Sequence, residues 1–356
     1  MSMRLKYVDF LRLLALAYMF FYHSALVLLK PEQNTGLMKL LFDLVPICPA
    51  LFLFLSGFSI TFYFLKSGKQ ILDKDRFIVL LKKGVLLILS AQLLFFIEQG
   101  FQLPDLLIAP GILNTIGWMT IISAIILLFK YKISLTVSVL IITTSLTVIF
   151  YNVKFFFVPF NCGYEPISPT IIFGFAGLLI GLCYNYFIIS KNNIYIFLIS
   201  ILSLGILTVC YYSNKFGIFA VFFDNIGRYT ITRIFNSSML PQNIFFNSHV
   251  TGFYQESVWN YNINCFLATL GAVFCLFTIS HFMESFFNKY LPKNIFILGR
   301  YAFFNYFYHL AVIAVVVLIF GYSSLDKISF LFFLIFLFAL SVILSYFVNA
   351  MKTKSA

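Results

Sequence analysis

The chain has 356 residues, of which 62% are hydrophobic and 10% are charged, and its mean hydropathy is +0.98. This composition excludes an ordinary soluble domain, and apolar stretches of about 20 residues recur along the chain, as in polytopic helical membrane proteins. The net charge of +12 comes from lysines and arginines spread over short gaps between those stretches. Such a distribution is typical of topology signals and provides no basic patch for nucleic acid.

We predict an all-α membrane bundle of about ten transmembrane helices, which forms a single domain over residues 1–356. With both termini in the cytoplasm, most of the 24 lysines and arginines lie on the cytoplasmic side, as the positive-inside rule requires. The predicted spans, in chain order, cover residues 8–29, 43–64, 77–97, 106–129, 133–151, 169–189, 194–212, 263–283, 295–320 and 328–349.

The six cysteines show no close CxxC spacing, and most of them lie within apolar runs. This pattern indicates small buried hydrophobic residues, so we expect neither a metal site nor a disulfide framework. The chain also lacks a Ser/His/Asp signature, a Walker loop and an HExxH helix. Hydrolase, ATPase and metalloprotease functions are therefore left without support.

The first span carries three ionisable side chains, Asp9, Arg12 and His23, on one predicted helix face. Arg12 and His23 are separated by a step that returns to within about 20° of the same face and advances roughly 16 Å along the axis. Ionisable groups inside a membrane are costly and usually mark function. We predict that His23 is a general base for a hydroxyl or amine, and the alternative is a buried histidine bonded to a neighbouring span.

Arg12 lies near the predicted cytoplasmic end of the same span. Its guanidinium suits a phosphate-bearing ligand, because the planar fork binds two phosphate oxygens. An ion pair between Arg12 and Asp9 is the alternative, and both interpretations hold if Asp9 orients the arginine. We assign Asp9 and Arg12 to cofactor binding on this basis.

Small and polar residues of the second and fourth spans have two interpretations. Ser56 and Gly57 either serve helix packing or make room for a thin acyl chain or a pantetheine arm. Asn114, at the start of the fourth span, hydrogen-bonds either a substrate or another helix. We include all three among the candidate cofactor-binding residues.

A second polar stripe lies on the ninth span, where Tyr301, Asn305 and His309 follow one another at steps of four residues. His309 competes with His23 for the role of base, and we rank it as a supporting residue. We count Asn305 and His309 with His23 as candidate catalytic residues.

The longest predicted connection covers residues 213–262 and lies on the extracytoplasmic side. It contains many Asn, Ser and Tyr residues and Trp259. Amide and aromatic side chains suit a sugar-like acceptor, although Tyr and Trp also collect at membrane interfaces. We expect acceptor specificity to reside in this loop, because loops of this length usually have a function.

Several segments resemble the transmembrane acyltransferases. Three segments resemble the acyltransferase-3 branch: YVDFLR at 7–12 followed by His23, FLFLSGF at 52–58, and the segment from Leu298 to His309. The stretches GILNTIG at 111–117 and PISPTIIFG at 166–174 are more similar to the heparan-α-glucosaminide N-acetyltransferase branch. The matching segments occur in order from one end of the chain to the other.

This resemblance implies a cytoplasmic acyl-CoA donor, acetyl-CoA in the first instance, and a glycan or glycolipid acceptor on the far side of the membrane. It implies that His23 deprotonates the acceptor while a donor such as Asn305 stabilises the oxyanion. The pantetheine arm is then expected to run between spans one and two.

The resemblance also implies that Arg12, helped by Arg76, Lys82 or Lys83, holds the CoA phosphates. The chain departs here from the acyltransferase-3 pattern, which has paired arginines after the second span. The lysosomal relatives carry their histidine in a loop after the first span, so its placement at His23 follows the acyltransferase-3 pattern.

The alternative function is a secondary transporter of a small anion or glycan, with Arg12 and His23 as binding and proton-relay groups. Secondary transporters often carry a pair of broken hydrophobic segments at corresponding positions of their two halves. The two halves of this chain show no such pair. A non-catalytic scaffold leaves the charged stripe unexplained. We expect a multi-pass protein of a bacterial-type inner membrane in contact with lipid, and its oligomeric state stays open, with a homodimer among the alternatives.

Overall fold

The structure is a computed structural model that describes residues 5–33, 35–38, 41, 44, 46–65, 72–99, 111–152, 167–189, 194–216, 263–291 and 296–354. Apart from one 3-10 turn at Pro31–Gln33, the regular elements of these residues are α-helices. In chain order they are α1 (Lys6–Leu28), α2 (Ile47–Leu65), α3 (Lys74–Gln99), α4 (Ile112–Leu127), α5 (Lys132–Asn152), α6 (Ile167–Ile189), α7 (Ile194–Phe216), α8 (Ile263–Phe282), α9 (Glu284–Tyr290), α10 (Phe296–Arg300), α11 (Ala302–Phe320) and α12 (Lys327–Lys354).

Each of the ten predicted spans coincides with helical structure, which confirms the all-α class. Among the described residues, six helices are long and apolar enough to cross a membrane, namely α1, α3, α5, α6, α11 and α12. In α2, α4, α7 and α8, the apolar part that the structure describes is shorter, at 10–17 residues. The chain is an integral multi-pass membrane protein. Ten crossings and the cytoplasmic position of both termini stay predictions.

The predicted ninth span is wrong in one respect, because it is not one continuous helix. It is divided into α10 and α11 at Tyr301, whose backbone angles (φ −104°, ψ 28°) depart from helical values. Just before the break, a Cβ on Gly299 would lie 2.1 Å from the carbonyl oxygen of Asp9, so only glycine lets α10 rest on the backbone of α1. We attribute the division to this contact, which holds the short α10 against α1.

The chain divides into two compact units, one formed by Met1–Leu51 with Phe274–Ala356 and the other by Phe52–Val273. The prediction of a single domain therefore stays a prediction. In the first unit α1 is central, since it packs against α9, α10, α11 and α12. Its burial is extensive: Leu11, Leu16 and Phe20 have no exposed surface.

The C-terminal end of α1 is completed by the connection between α11 and α12. The backbone N–H groups of Ser323 and Leu325 donate to the carbonyl oxygens of Val27 and Leu28, each over 2.9 Å. A helix leaves its last carbonyl groups without partners of its own, and unbonded ones are costly away from water. The connection thus ties α1 to the helix pair that carries the second polar stripe.

In the second unit, α3, α4 and α6 enclose an apolar core that includes Leu80, Met119 and Phe175. On α6, a Cβ on Gly177 would lie 1.9 Å from the carbonyl oxygen of Phe54 in α2. Small residues let two membrane helices approach backbone to backbone in this way.

Valine in place of Gly177 is expected to destabilise the second unit severely, because its Cβ has no space beside the carbonyl of Phe54. Overpacking a tight contact costs about 1–3 kcal/mol, and more when backbone must move. The thermal transition of the detergent-solubilised protein measures this loss. Ser203→Val on the exposed side of α7 is the matched control, and equal transition temperatures for the two variants would contradict the close helix contact.

Candidate active site

Two histidines from different helices meet inside the first unit. The Nδ1 of His23 on α1 lies 3.0 Å from the Nε2 of His309 on α11, and the two rings stack with centroids 5.1 Å apart. His309 is fully buried, whereas His23 is only partly buried. The structure therefore brings together two of the three predicted catalytic residues, which are far apart in the sequence.

The hydrogen bonds determine which nitrogen of each ring carries the proton. The Nδ1 of His309 lies 3.1 Å from the backbone oxygen of Asn305, and a carbonyl oxygen only accepts, so Nδ1 is protonated. In neutral His309 the Nε2 then holds a lone pair, and the Nδ1–H of His23 donates to it. The lone pair of His23 is therefore at Nε2, to which no described group hydrogen-bonds. This is the tautomer that a general base requires.

Aromatic side chains surround the histidine pair. The ring of Phe20 lies 5.0 Å from that of His309 and 5.3 Å from that of Phe338. Tyr306 contacts both histidines edge to face, at 5.6 Å from His309 and 6.5 Å from His23. These contacts restrain the ring planes, so the hydrogen bond between the histidines is held by packing as well as by its own geometry.

Polar contacts between α11 and α12 support the pair from the side. The hydroxyl of Tyr301 lies 3.0 Å from Oδ1 of Asn349, and Nδ2 of Asn305 donates to Oγ of Ser345 over 2.9 Å. Both contacts are separated by four residues on each helix, as expected for antiparallel neighbours. A polar ladder thus begins at Tyr301 and leads toward His309.

Sequence analysis missed the half of this ladder that α12 provides. Ser341, Ser345 and Asn349 also recur every four residues, and the antiparallel register places Ser341 opposite His309. The same spacing rule that identified the stripe on the ninth span would have found them in the last span.

The side-chain amide of Asn305 hydrogen-bonds within the protein, and its role as an oxyanion donor stays a prediction. Its Nδ2 lies within 3.4 Å of three acceptors, the carbonyl oxygens of Leu298 and Tyr301 and the hydroxyl of Ser345. A side-chain amide has two N–H groups, and these acceptors occupy both of them. The side chain of Asn305 has no exposed surface. The backbone carbonyl of Asn305 also contacts Nδ1 of His309 and so positions that ring.

Asp9 and Arg12 form the ion pair that sequence analysis held open. The Nη1 of Arg12 lies 3.5 Å from Oδ1 of Asp9, and their side chains are 22% and 2% exposed, respectively. The backbone of Asp9 is in contact with Gly299 of α10. This contact holds Asp9, the buried member of the ion pair, in place. The side chain of Arg12 is partly exposed, and the planar fork of a guanidinium is the geometry that binds phosphate oxygens in two places.

The structure shows Gly57 in a helix contact, and its role in making room for a ligand stays a prediction. A Cβ on Gly57 would lie 1.9 Å from the carbonyl oxygen of Gly174, so the space is filled by the backbone of α6. The neighbouring Ser56 uses its hydroxyl within the helix and donates to the carbonyl of Phe52 over 2.8 Å. Both residues therefore serve the packing of the second unit.

The predicted basic residues of α3 lie in the second unit. Arg76 pairs with Asp73, with Nε and Oδ2 3.4 Å apart, and both side chains are about one-third exposed. Lys82 and Lys83 are exposed. Asn114, also in this unit, is buried, and neither of its amide atoms hydrogen-bonds to a described residue.

The predicted acceptor loop lies outside the described residues from 217 to 262, and only its first four residues belong to α7. Over the described part of the chain, no group of three or more His, Cys, Asp or Glu side chains is placed to hold a metal ion.

Comparison with known proteins identifies a family. The family model of the heparan-alpha-glucosaminide N-acetyltransferase catalytic domain matches residues 4–213. This range includes Asp9, Arg12, His23 and Asn114 and ends before His309. No curated protein matches the chain. Because the model covers more than half of the chain, the protein belongs to the heparan-alpha-glucosaminide N-acetyltransferase catalytic-domain family.

Proposed function

We propose that this protein is a membrane acetyltransferase that moves an acetyl group from acyl-CoA to a hydroxyl or amine of an extracytoplasmic glycan. The observation that carries the proposal is the relay from the carbonyl of Asn305 through His309 to His23, which leaves a lone pair on Nε2 of His23. Family membership supports the acetyl transfer.

The reaction needs one base that takes a proton and later returns it. The acceptor oxygen or nitrogen attacks the thioester carbonyl carbon as its proton moves to Nε2 of His23. The carbon–sulfur bond then breaks, and His23 gives the proton to the departing sulfur. The products are the acetylated acceptor and the CoA thiol, so no other reactant is required.

The remaining residues serve orientation and binding. His309 fixes the tautomer of His23 and stabilises the positive charge that His23 gains, as the third member of a catalytic triad does. Arg12, oriented by Asp9, binds CoA phosphate, which a guanidinium contacts in two places. Arg76, Lys82 and Lys83 stay predicted contributors to that binding.

The family and the predicted topology support the choice of acceptor class. The family is named for acetylation of a glucosaminide nitrogen, so an amino sugar is the first acceptor to test, and a hydroxyl acceptor fits the same chemistry. We place the protein in a bacterial-type plasma membrane with the acceptor outside. The transporter alternative gains no support from the fold or the family.

Binding of acetyl-CoA tests the donor assignment. Calorimetry on the detergent-solubilised protein should show saturable binding, which Arg12→Ala weakens about 10- to 100-fold by removing charge-assisted hydrogen bonds. Lys289→Ala removes an exposed positive charge elsewhere in the same unit and should bind as the wild type does. Equal weakening in both variants would reduce the role of Arg12 to general charge attraction, and no binding by folded wild type would refute an acyl-CoA donor.

A further inference from the structure

Asn114 is a buried amide that the protein leaves unbonded. Its side chain lies at the third position of α4, the residue is 1% exposed, and neither Oδ1 nor Nδ2 has a partner among the described residues. An amide in this state is costly, because it has lost its hydrogen bonds to water and gained none. Native proteins contain few such groups, and each requires a specific explanation.

The backbone beside Asn114 also lacks hydrogen-bond acceptors among the described groups. The first N–H groups of a helix have no partner within it, and a polar side chain just before the helix usually accepts from them. Gly111 occupies that position and has no side chain, and none of the described groups accepts from Ile112, Leu113 or Asn114. These three residues are all buried. Buried donors and the unbonded amide thus occur within one helical turn.

Described atoms do not pack closely against Gly111 at this end of the helix. No described atom lies within 4 Å of the place where a Cβ on Gly111 would be. Gly117, further along the same helix, differs: a Cβ there would lie 2.8 Å from the carbonyl oxygen of Gly84. Among the described residues, α4 is therefore closely packed in its middle and lacks such a backbone contact at Gly111.

The donors and the acceptor at this end distinguish between ligand classes. The N–H groups and Nδ2 of Asn114 donate to an oxygen, whereas Oδ1 of Asn114 needs a donor. A phosphate or carboxylate brings charge without a donor, and no described charged side chain pairs with Asn114 to offset the burial of that charge. A carboxamide presents a carbonyl oxygen and an N–H side by side. We infer that the N-terminal end of α4 binds a ligand carboxamide, with Asn114 as its main contact.

This inference rests on the proposed function, whose reaction involves two carboxamide sources. The pantetheine arm of the CoA donor contains carboxamides, and an N-acetylated amino sugar contains one as well. The recognition chemistry is the same for both, so separate binding measurements are needed to identify the source.

The experiment compares three probes on the whole detergent-solubilised chain: pantetheine, N-acetylglucosamine and glucosamine, which lacks the carboxamide. Wild type should bind at least one carboxamide probe, and Asn114→Leu should weaken that binding about tenfold or more. The control is Asn185→Leu, because Asn185 is a buried asparagine of the same unit whose Nδ2 is already bonded to the carbonyl of Gly181, over 3.0 Å. Asn185→Leu should leave the Kd for the carboxamide probes unchanged. The binding of glucosamine should be the same in wild type and in Asn114→Leu.

The three probes distinguish between the two carboxamide sources. Dependence of pantetheine on Asn114 identifies the donor, and dependence of N-acetylglucosamine identifies the sugar. Without ligand, Asn114→Leu should be at least as stable as wild type, because an unpaired amide is replaced by an apolar group of similar size. A variant that melts much lower or fails to fold overturns the inference, since it reveals a structural partner, and so does binding that ignores Asn114. Binding that depends on Asn114 in a protein without transferase activity would refute the proposed function alone.

Discussion

Asparagine in place of His23 is expected to lower kcat for acetyl transfer by about 10²- to 10⁴-fold, the usual contribution of a positioned general base. Asparagine keeps an N–H donor near the position of Nδ1, so the hydrogen bond to His309 is retained. It has no nitrogen in place of Nε2 and cannot take the acceptor proton. Thermal stability and the Kd for acetyl-CoA should therefore stay close to those of the wild type.

His281→Asn is the matched control for this experiment. His281 belongs to the same unit, and its ring lies 4.9 Å from that of Tyr7, away from the histidine pair. The control should retain the wild-type kcat. Wild-type kcat in His23→Asn would remove the base from the mechanism, and a collapse of donor binding in that variant would move His23 from catalysis to binding.

Substitution of His309 tests whether the second histidine acts through the first. Leucine fills its volume but accepts no hydrogen bond, so the ring of His23 is free to turn and to exchange tautomers. We expect kcat to fall about 10- to 100-fold, as when a residue that orients a reactive group is lost. Glutamine places an oxygen near the position of Nε2, and His309→Gln should retain more activity than His309→Leu.

Stability measurements distinguish this positioning role from simple packing. Leucine suits an apolar, fully buried site, so His309→Leu should be no less stable than His309→Gln, although it is less active. The KM for acetyl-CoA should change little in both. Activities that follow the melting temperatures of the two variants would show that His309 contributes to folding alone.

Periodicity explains what the sequence predicted correctly. Apolar runs of membrane length identified every long helix, and steps of four residues placed Asn305 and His309 on one face of α11. Local spacing also brought Asp9 and Arg12 within reach of each other, which the ion pair confirms. Each of these features depends on the geometry of one helix, and that geometry is a regular function of sequence position.

Contacts between helices could not be predicted from the periodicity of single helices. The pairing of His23 with His309, the support from Ser345 and the use of Gly57 against α6 depend on which helices become neighbours. The acceptors of Nδ2 of Asn305, on its own helix and on α12, also could not be predicted from local spacing. A polar residue on a helix face has the same spacing whether it binds a ligand or another helix.

Release of CoA thiol from acetyl-CoA, by protein reconstituted in vesicles with glucosamine as the acceptor, is the most direct test of acetyl transfer by the histidine pair. The mechanism predicts that wild type releases thiol only when the acceptor is present, with acetylated glucosamine formed in equal amount, and that His23→Asn releases almost none. Thiol release at the same rate in both proteins, or no release above protein-free vesicles, would contradict it.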